Sequence, residues 1–153
     1  MTRVVLDTGV VVEYIDLKGA LHEQAWIVME SVKAGRLEAV IPHPVLSETF
    51  YVAARIYSKL GARDPEERAL KLIEWLYRLP TVSIVGETLD LALEAGRAKL
   101  KYGLALTDCY VLASSKLYNA RALFRKRERE MGAGKVLRSL TRDYEIVFLE
   151  DYA

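Results

Sequence analysis

A three-layer α/β domain with a mostly parallel sheet is predicted by three features of the sequence. Short β-branched runs alternate with longer segments of helical periodicity. Glycine or proline stands at the junctions between them, at Gly35, Pro42, Gly61, Pro80, Gly86 and Gly103. The 153 residues, 52% hydrophobic and 28% charged, have the length and composition of one globular domain able to bury a core. Strands and helices that alternate in this way place helices on both faces of a parallel sheet.

Taken in order, residues 3–6 (RVVL) form the first strand, and Asp7 follows where that strand surfaces. Asp is favoured as a helix cap, so Asp7 can accept from amides of a helix starting near Gly9. Helical spacing covers 20–34, and 38–41 is the second strand. In the next helix, 44–60, Val45, Thr49, Val52, Ala53, Ile56 and Leu60 share one face, with Glu48 on its edge. After a break at 61–63, Asp64 stands at the cap of a helix over 65–78, with Pro65 in its first position and Glu66 and Glu67 in its first turn. Ala69, Leu72, Ile73 and Leu76 form its core stripe, and Trp75 falls off it. Two consecutive helices between strands two and three make a helical hairpin insertion. Strand 81–85, helices 87–102 and 107–118, strand 120–124, a helix over about 127–141 and strand 145–149 complete the chain. Thr107 is the expected N-cap of its helix, which puts Asp108 in the first turn.

The net charge of +1 carries no global attraction to nucleic acid, so such binding would need a local patch. The single cysteine, Cys109, rules out an internal disulfide framework, suits a reducing cytoplasm and reads as a small buried hydrophobe. The first apolar run is too short for a signal peptide, and no stretch reaches membrane-spanning length. Only two side-chain amides occur, Gln24 and Asn119, amid many charges, a pattern of hyperthermophile proteins. His22 and His43 lack ligand spacing, and no phosphate-binding glycine motif occurs.

Three acids interrupt apolar surroundings: Asp7 after the first strand, Glu48 in the helix after the second, and Asp108 in the helix before the fourth. Each has an ordinary reading, as a cap, a solvated boundary residue and a first-turn charge. Together they can reach the same end of a parallel sheet, where sites in open α/β folds lie. Converging carboxylates repel and raise each other's pKa unless a cation neutralises them. Oxygen-only ligands suit Mg²⁺ or Mn²⁺, which can activate water for phosphoryl transfer.

The segments VVLDTGVVVEYI, IPHPVLSETFYVAARIY and YGLALTDCYVLASSKLYNARALF resemble, in order and spacing, the three acidic motifs of the PIN domain family. The resemblance covers essentially the whole chain, 1–153, as a single domain. It implies a five-stranded sheet of order 3-2-1-4-5 and a Mg²⁺- or Mn²⁺-dependent ribonuclease. The implied setting is a VapC-type toxin, cytoplasmic and homodimeric, with RNA as substrate and an antitoxin protein as partner. Asp7, Glu48 and Asp108 would be the metal and catalytic acids, and Thr8 a nearby hydroxyl that orients water or phosphate. The alternative is a catalytically weak PIN-fold module that binds RNA or a protein.

One departure stands out. The family's fourth acid aligns on or near Arg127, in ALFRKREREM. Either Glu128, one residue away, takes its place as a catalytic acid, or the site works with three carboxylates and water; the ordinary reading of this run is a solvated helix start. Arg121, Arg125, Lys126, Arg127 and Arg129 form a local basic cluster, from which Arg125 and Arg127 would meet RNA phosphate. On the 65–78 helix, Trp75 either lies flat along the domain edge or joins an interface, which the resemblance would assign to the antitoxin.

Overall fold

The computed structural model describes residues 2–132 and 134–153. Five strands, β1 (Arg3–Leu6), β2 (Glu38–Pro42), β3 (Val82–Val85), β4 (Arg121–Phe124) and β5 (Ile146–Phe148), build a sheet of order β3-β2-β1-β4-β5. All four pairings are parallel, with Val4 opposite Ala39 on one side and Arg121 on the other. The expected α/β class and strand order are therefore present. Central β1, β2 and β4 are buried along nearly their whole length, whereas edge strand β3 is only partly covered. This is why the central runs read as continuously apolar.

Seven helices connect the strands: α1 (Thr8–Ile15), α2 (His22–Lys33), α3 (His43–Lys59), α4 (Pro65–Arg78), α5 (Leu89–Tyr102), α6 (Leu106–Leu117) and α7 (Gly134–Asp143). Right-handed crossovers moving outward from β1 to β2 to β3 put α1–α4 on one face, and the return to β4 and β5 puts α5–α7 on the other. The chain reverses direction across the sheet between β1 and β4. The carboxyl ends of those strands are the switch point where open α/β sheets form their sites. None of the described helices is long and apolar enough to cross a membrane.

The helix expected to start near Gly9 is α1, capped by Asp7, and burial explains why its valine run is helical. Helical valine costs a few tenths of a kcal/mol relative to good helix formers, whereas full burial contributes about 1.5–3 kcal/mol per side chain. Val10, Val11 and Val12 are all buried, so packing wins. The helix expected over about 127–141 is shorter. It begins at Gly134, and the chain from Arg125 to Gly132 forms bends and turns instead. Met131 is fully buried there, and the Arg127 amide and guanidinium both donate to Glu150, which ties the segment to the C-terminal 3₁₀ turn Leu149–Tyr152.

Two expected caps also differ. Ala105, not Thr107, precedes α6, and Asp64 caps α4 by position only, with a left-handed backbone (φ 49°) and no side-chain cap bond. Gly61 (φ 76°) supplies the left-handed turn that lets α3 fold back into α4. In α4 the core stripe is as read, with Ala69, Leu72 and Leu76 buried. Trp75 is half-buried and stacks on Tyr14 with ring centroids 6.0 Å apart, so it lies flat along the edge of α1.

The α4 register has a direct test. Leu76 is 0% exposed and Tyr77 63% exposed. In urea unfolding, Leu76→Ala is expected to cost about 2–5 kcal/mol, and Tyr77→Ala to stay within about 0.5 kcal/mol of the parent. Equal losses would mean the helix is rotated.

Candidate metal centre

Asp7 marks the point where β1 becomes α1. Its backbone N–H still donates to Leu123 O of β4 at 3.1 Å, extending the ladder by one residue. Its side chain already serves the helix, with Oδ2 accepting from Gly9 N at 3.1 Å. The capping reading of Asp7 is thus correct. The carboxylate is also buried, and burial pushes its pKa from the usual 3.8 up to about 7, with the charges of Glu48 and Glu128 adding to the rise. The Gly9 amide opposes that shift without overcoming it.

Glu48 and Asp108 approach from α3 and α6. Thr107, the residue expected to cap α6, instead donates its hydroxyl to Glu48 Oε2 at 3.0 Å. That bond joins the two helices beside the site. Asp108 lies in the first turn of α6 and is half-buried. Burial first, then the charges of Asp7, Glu128, Glu48 and Glu130, push its pKa to about 8. Acids from the end of β1, from α3 and from the turn after β4 therefore bear on Asp108 of α6. Among the described residues, neither Asp7 nor Asp108 is paired with a lysine or arginine.

Some expected participants are engaged elsewhere. Thr8 is buried, and its hydroxyl meets Thr49 Oγ1 at 3.2 Å beside Val45 O, so it ties α1 to α3. These contacts lend no support to a role in orienting water or phosphate. Arg127 forms ion pairs with Glu150 at 2.7 Å and Asp151 at 2.8 Å, and its guanidinium covers the Phe148 ring. Its guanidinium is paired with the C-terminal turn. Arg125 donates to Glu13 Oε1 at 3.1 Å. Glu13, a buried acid of α1, was not singled out by the sequence; its place two turns beyond Asp7 in an apolar helix was the available signal.

The donor chemistry suits a hard divalent cation. It is all carboxylate oxygen, and no lysine or arginine among the described residues is paired with Asp7 or Asp108. Among the described residues, however, no three Asp, Glu, His or Cys side chains are grouped closely enough to hold a metal ion as they stand. Mutual repulsion opposes that closure, and a cation would supply the missing attraction.

A PIN domain family model matches residues 4–130. No curated protein sequence matches the chain. Among solved structures, a toxin–antitoxin complex from Klebsiella pneumoniae is similar at 16% identity and a TM-score of 0.59, covering 95% of this chain and 97% of that one. The Mycobacterium tuberculosis toxin VapC20, described as cleaving the sarcin–ricin loop, aligns with a TM-score of 0.60 and 16% identity over 78% of this chain and 85% of its own. PAE2754 from Pyrobaculum aerophilum covers 99% of this chain and 92% of that one, at 18% identity and a TM-score of 0.55. At these identities the solved structures establish the shared fold.

The raised acids fix a pH dependence. Unfolded, Asp7 and Asp108 lose their protons near 3.8; folded, they keep them to about 7 and about 8. The folded state binds more protons between those limits, so metal-free stability falls as pH rises through that window and levels off above it. Asp7→Asn keeps the cap, since Asn caps as well as Asp, but removes the charge. Its melting temperature in chelator at mildly alkaline pH is expected to exceed the parent's, with a shallower decline between acid and alkaline buffers. A parent melting temperature that instead climbs with pH would contradict the site electrostatics.

Proposed function

The chain belongs to the PIN domain family, and from that premise we propose that this PIN-type nuclease is a metal-dependent endoribonuclease, the toxin of a VapBC-type pair. One observation carries the reading: two buried or half-buried aspartates at the switch point of the sheet, both raised first by burial and then by the charges of Glu48 and Glu128, with no basic partner among the described residues. Such a cluster is costly to the fold and is understandable as a cation site. The similarity to toxin structures supports the biological setting.

In this reading Asp7, Glu48 and Asp108 would hold Mg²⁺ or Mn²⁺, and Glu128 would act beside them, directly or through water. A bound divalent ion supplies a lowered water pKa and positive charge at the scissile phosphate. The protein's own contribution is orientation. The Gly9 amide fixes one oxygen of Asp7, and the Thr107 hydroxyl fixes one oxygen of Glu48. Asp108 is held by the first turn of α6, and Arg125 keeps unused N–H donors that can meet a phosphate oxygen. The rival reading, a PIN-fold module that binds RNA or protein without cutting it, draws on the arginine at the fourth acid's position and on the open spacing of the carboxylates.

For the partner, we propose that an antitoxin segment seats on the α1–α4 side. There Tyr14, Tyr57, Leu72 and Trp75, with Arg68 and Lys71, line a groove of about 560 Å³. Homodimer formation is part of the same proposal. Trp75→Ala is expected to weaken antitoxin binding; unchanged affinity and self-association would place the interfaces elsewhere.

Cleavage separates the two readings of the site. Structured and unstructured RNA, incubated with the pure protein across a Mg²⁺ or Mn²⁺ titration, is expected to be cut only when the metal is present. Asp7→Asn should abolish the cut in a folded sample. Glu128→Gln should reduce rate or metal affinity by ~10–100-fold, as for a residue acting through water. Full activity in Asp7→Asn would remove the assignment.

A further inference from the structure

Helix α5 buries one face and leaves a second apolar row on the opposite one. Leu91, Glu94, Ala95 and Ala98 turn into the domain. Across the helix from them, Leu89, Leu93 and Leu100 are 73%, 45% and 89% exposed, and Gly96 stands exposed in the same row. At 3.6 residues per turn these four positions fall within about 60° of one another, and the row is about 16 Å long. Scattered exposed leucines need no explanation. A row spaced by four, three and four residues does, because that spacing is the seam along which two helices pack side by side.

Within the monomer, Gly96 has no evident purpose. A Cβ there would meet nothing within 4 Å, and the backbone is ordinary α-helix. Neither crowding nor a left-handed turn calls for glycine, which weakens a helix interior relative to alanine. A second helix approaching along the row would use the space, since the separation of packed helices depends on the side chains at their contact. The charges beside the row are divided along it. Asp90 lies near the N-terminal end and is in no ion pair among the described residues. Arg97 lies on the same flank toward the C-terminal end, its side chain 69% exposed and 3.5 Å from Glu94 Oε2. Turned end over end about a two-fold axis between Leu93 and Gly96, the row is complementary to itself. Leu93 then meets the gap at the partner's Gly96, and Leu89 meets the partner's Leu100. Asp90 comes opposite the partner's Arg97, and symmetry repeats each contact.

We propose that the outer face of α5 is an interface with a second copy of this chain, in which two α5 helices pack antiparallel about Gly96. The inference rests on the homodimer of the preceding reading and deepens it by giving that dimer a face, but it requires neither metal nor RNA. Helix α5 lies across the sheet from the groove offered to an antitoxin, so the two contacts do not compete. A single helix pair is small beside the ~1,200–2,000 Å² buried in stable interfaces, so the dimer exchanges with monomer as concentration falls.

The test is sedimentation equilibrium of the metal-free full chain, in low salt, over a wide range of protein concentration. The parent is expected to pass from monomer to dimer. Leu100→Glu, at the most exposed leucine of the row, should weaken that dimer at least ~10-fold with the far-ultraviolet circular dichroism unchanged. Gly96→Ala adds a methyl group for which the monomer has room. It should keep or raise the melting temperature while weakening the dimer, because the helix axes are forced apart. Asp90→Arg should weaken the dimer ~3–10-fold by setting two like-charged pairs in the interface, and Asp90→Arg/Arg97→Asp should restore it. A parent that stays monomeric throughout overturns the proposal. So does a dimer that Leu100→Glu leaves intact, which would put the contact on another face. A double charge variant no tighter than Asp90→Arg overturns the antiparallel arrangement. Should Leu100→Glu not fold, Gly96→Ala decides, and an undiminished dimer there rejects the interface. The cleavage assays bear on the nuclease reading and sedimentation on this face of α5, so either can fail alone.

Discussion

The carboxylate of Asp7 does two jobs that conflict. As the cap of α1 it must sit where β1 ends and meet the Gly9 amide, which places it in the buried seam between β1 and β4. As an ionised group it resists that place, because burial favours the neutral form. The charges of Glu48 and Glu128 sharpen the conflict. One amide hydrogen bond cannot balance the combined effect, and among the described residues no lysine or arginine is paired with Asp7. Much of what distinguishes this α/β sheet follows from that uncompensated charge.

A net charge of +1 conceals how the cations are distributed. Arg127 is committed to Glu150 and Asp151, Lys101 to Asp143, and both Arg97 and Lys116 to Glu94. Arg125, the arginine laid along the helix that Asp7 caps, is committed to Glu13. Basic groups are thus paired with acids other than Asp7 and Asp108, within a chain that is nearly neutral overall. Charge composition could not reveal this, because pairing depends on which segments meet in space.

The helices that deliver the acids are joined to one another as well as to the sheet. Thr107 reaches from α6 to Glu48 on α3, and Thr8 reaches from α1 to Thr49 on the same helix. The first of these contacts fixes an oxygen of Glu48, and the second ties α1 to α3. They fix the relative positions of three elements whose side chains would otherwise repel. Small polar residues that read locally as caps or water-binding groups thereby become spacers.

The sequence by itself determined the α/β class, the five strands, the hairpin of α3 and α4, and the candidacy of Asp7, Glu48 and Asp108. Those features are local: strand and helix periods, turn residues, and acids set in apolar runs declare themselves within a few residues. The sheet order, expected through family resemblance, needed the same three motifs in register. Tertiary structure decided the rest. It set the extent of α1, Thr8–Ile15, in which Val10, Val11 and Val12 are buried. It turned Thr107 from a cap into a partner of Glu48 and spent Arg127 on the C-terminal turn. It also exposed Glu13, whose meaning lies wholly in Arg125, 112 residues away. An ion pair between distant segments leaves no period or spacing in a single chain, so only the folded geometry could reveal it.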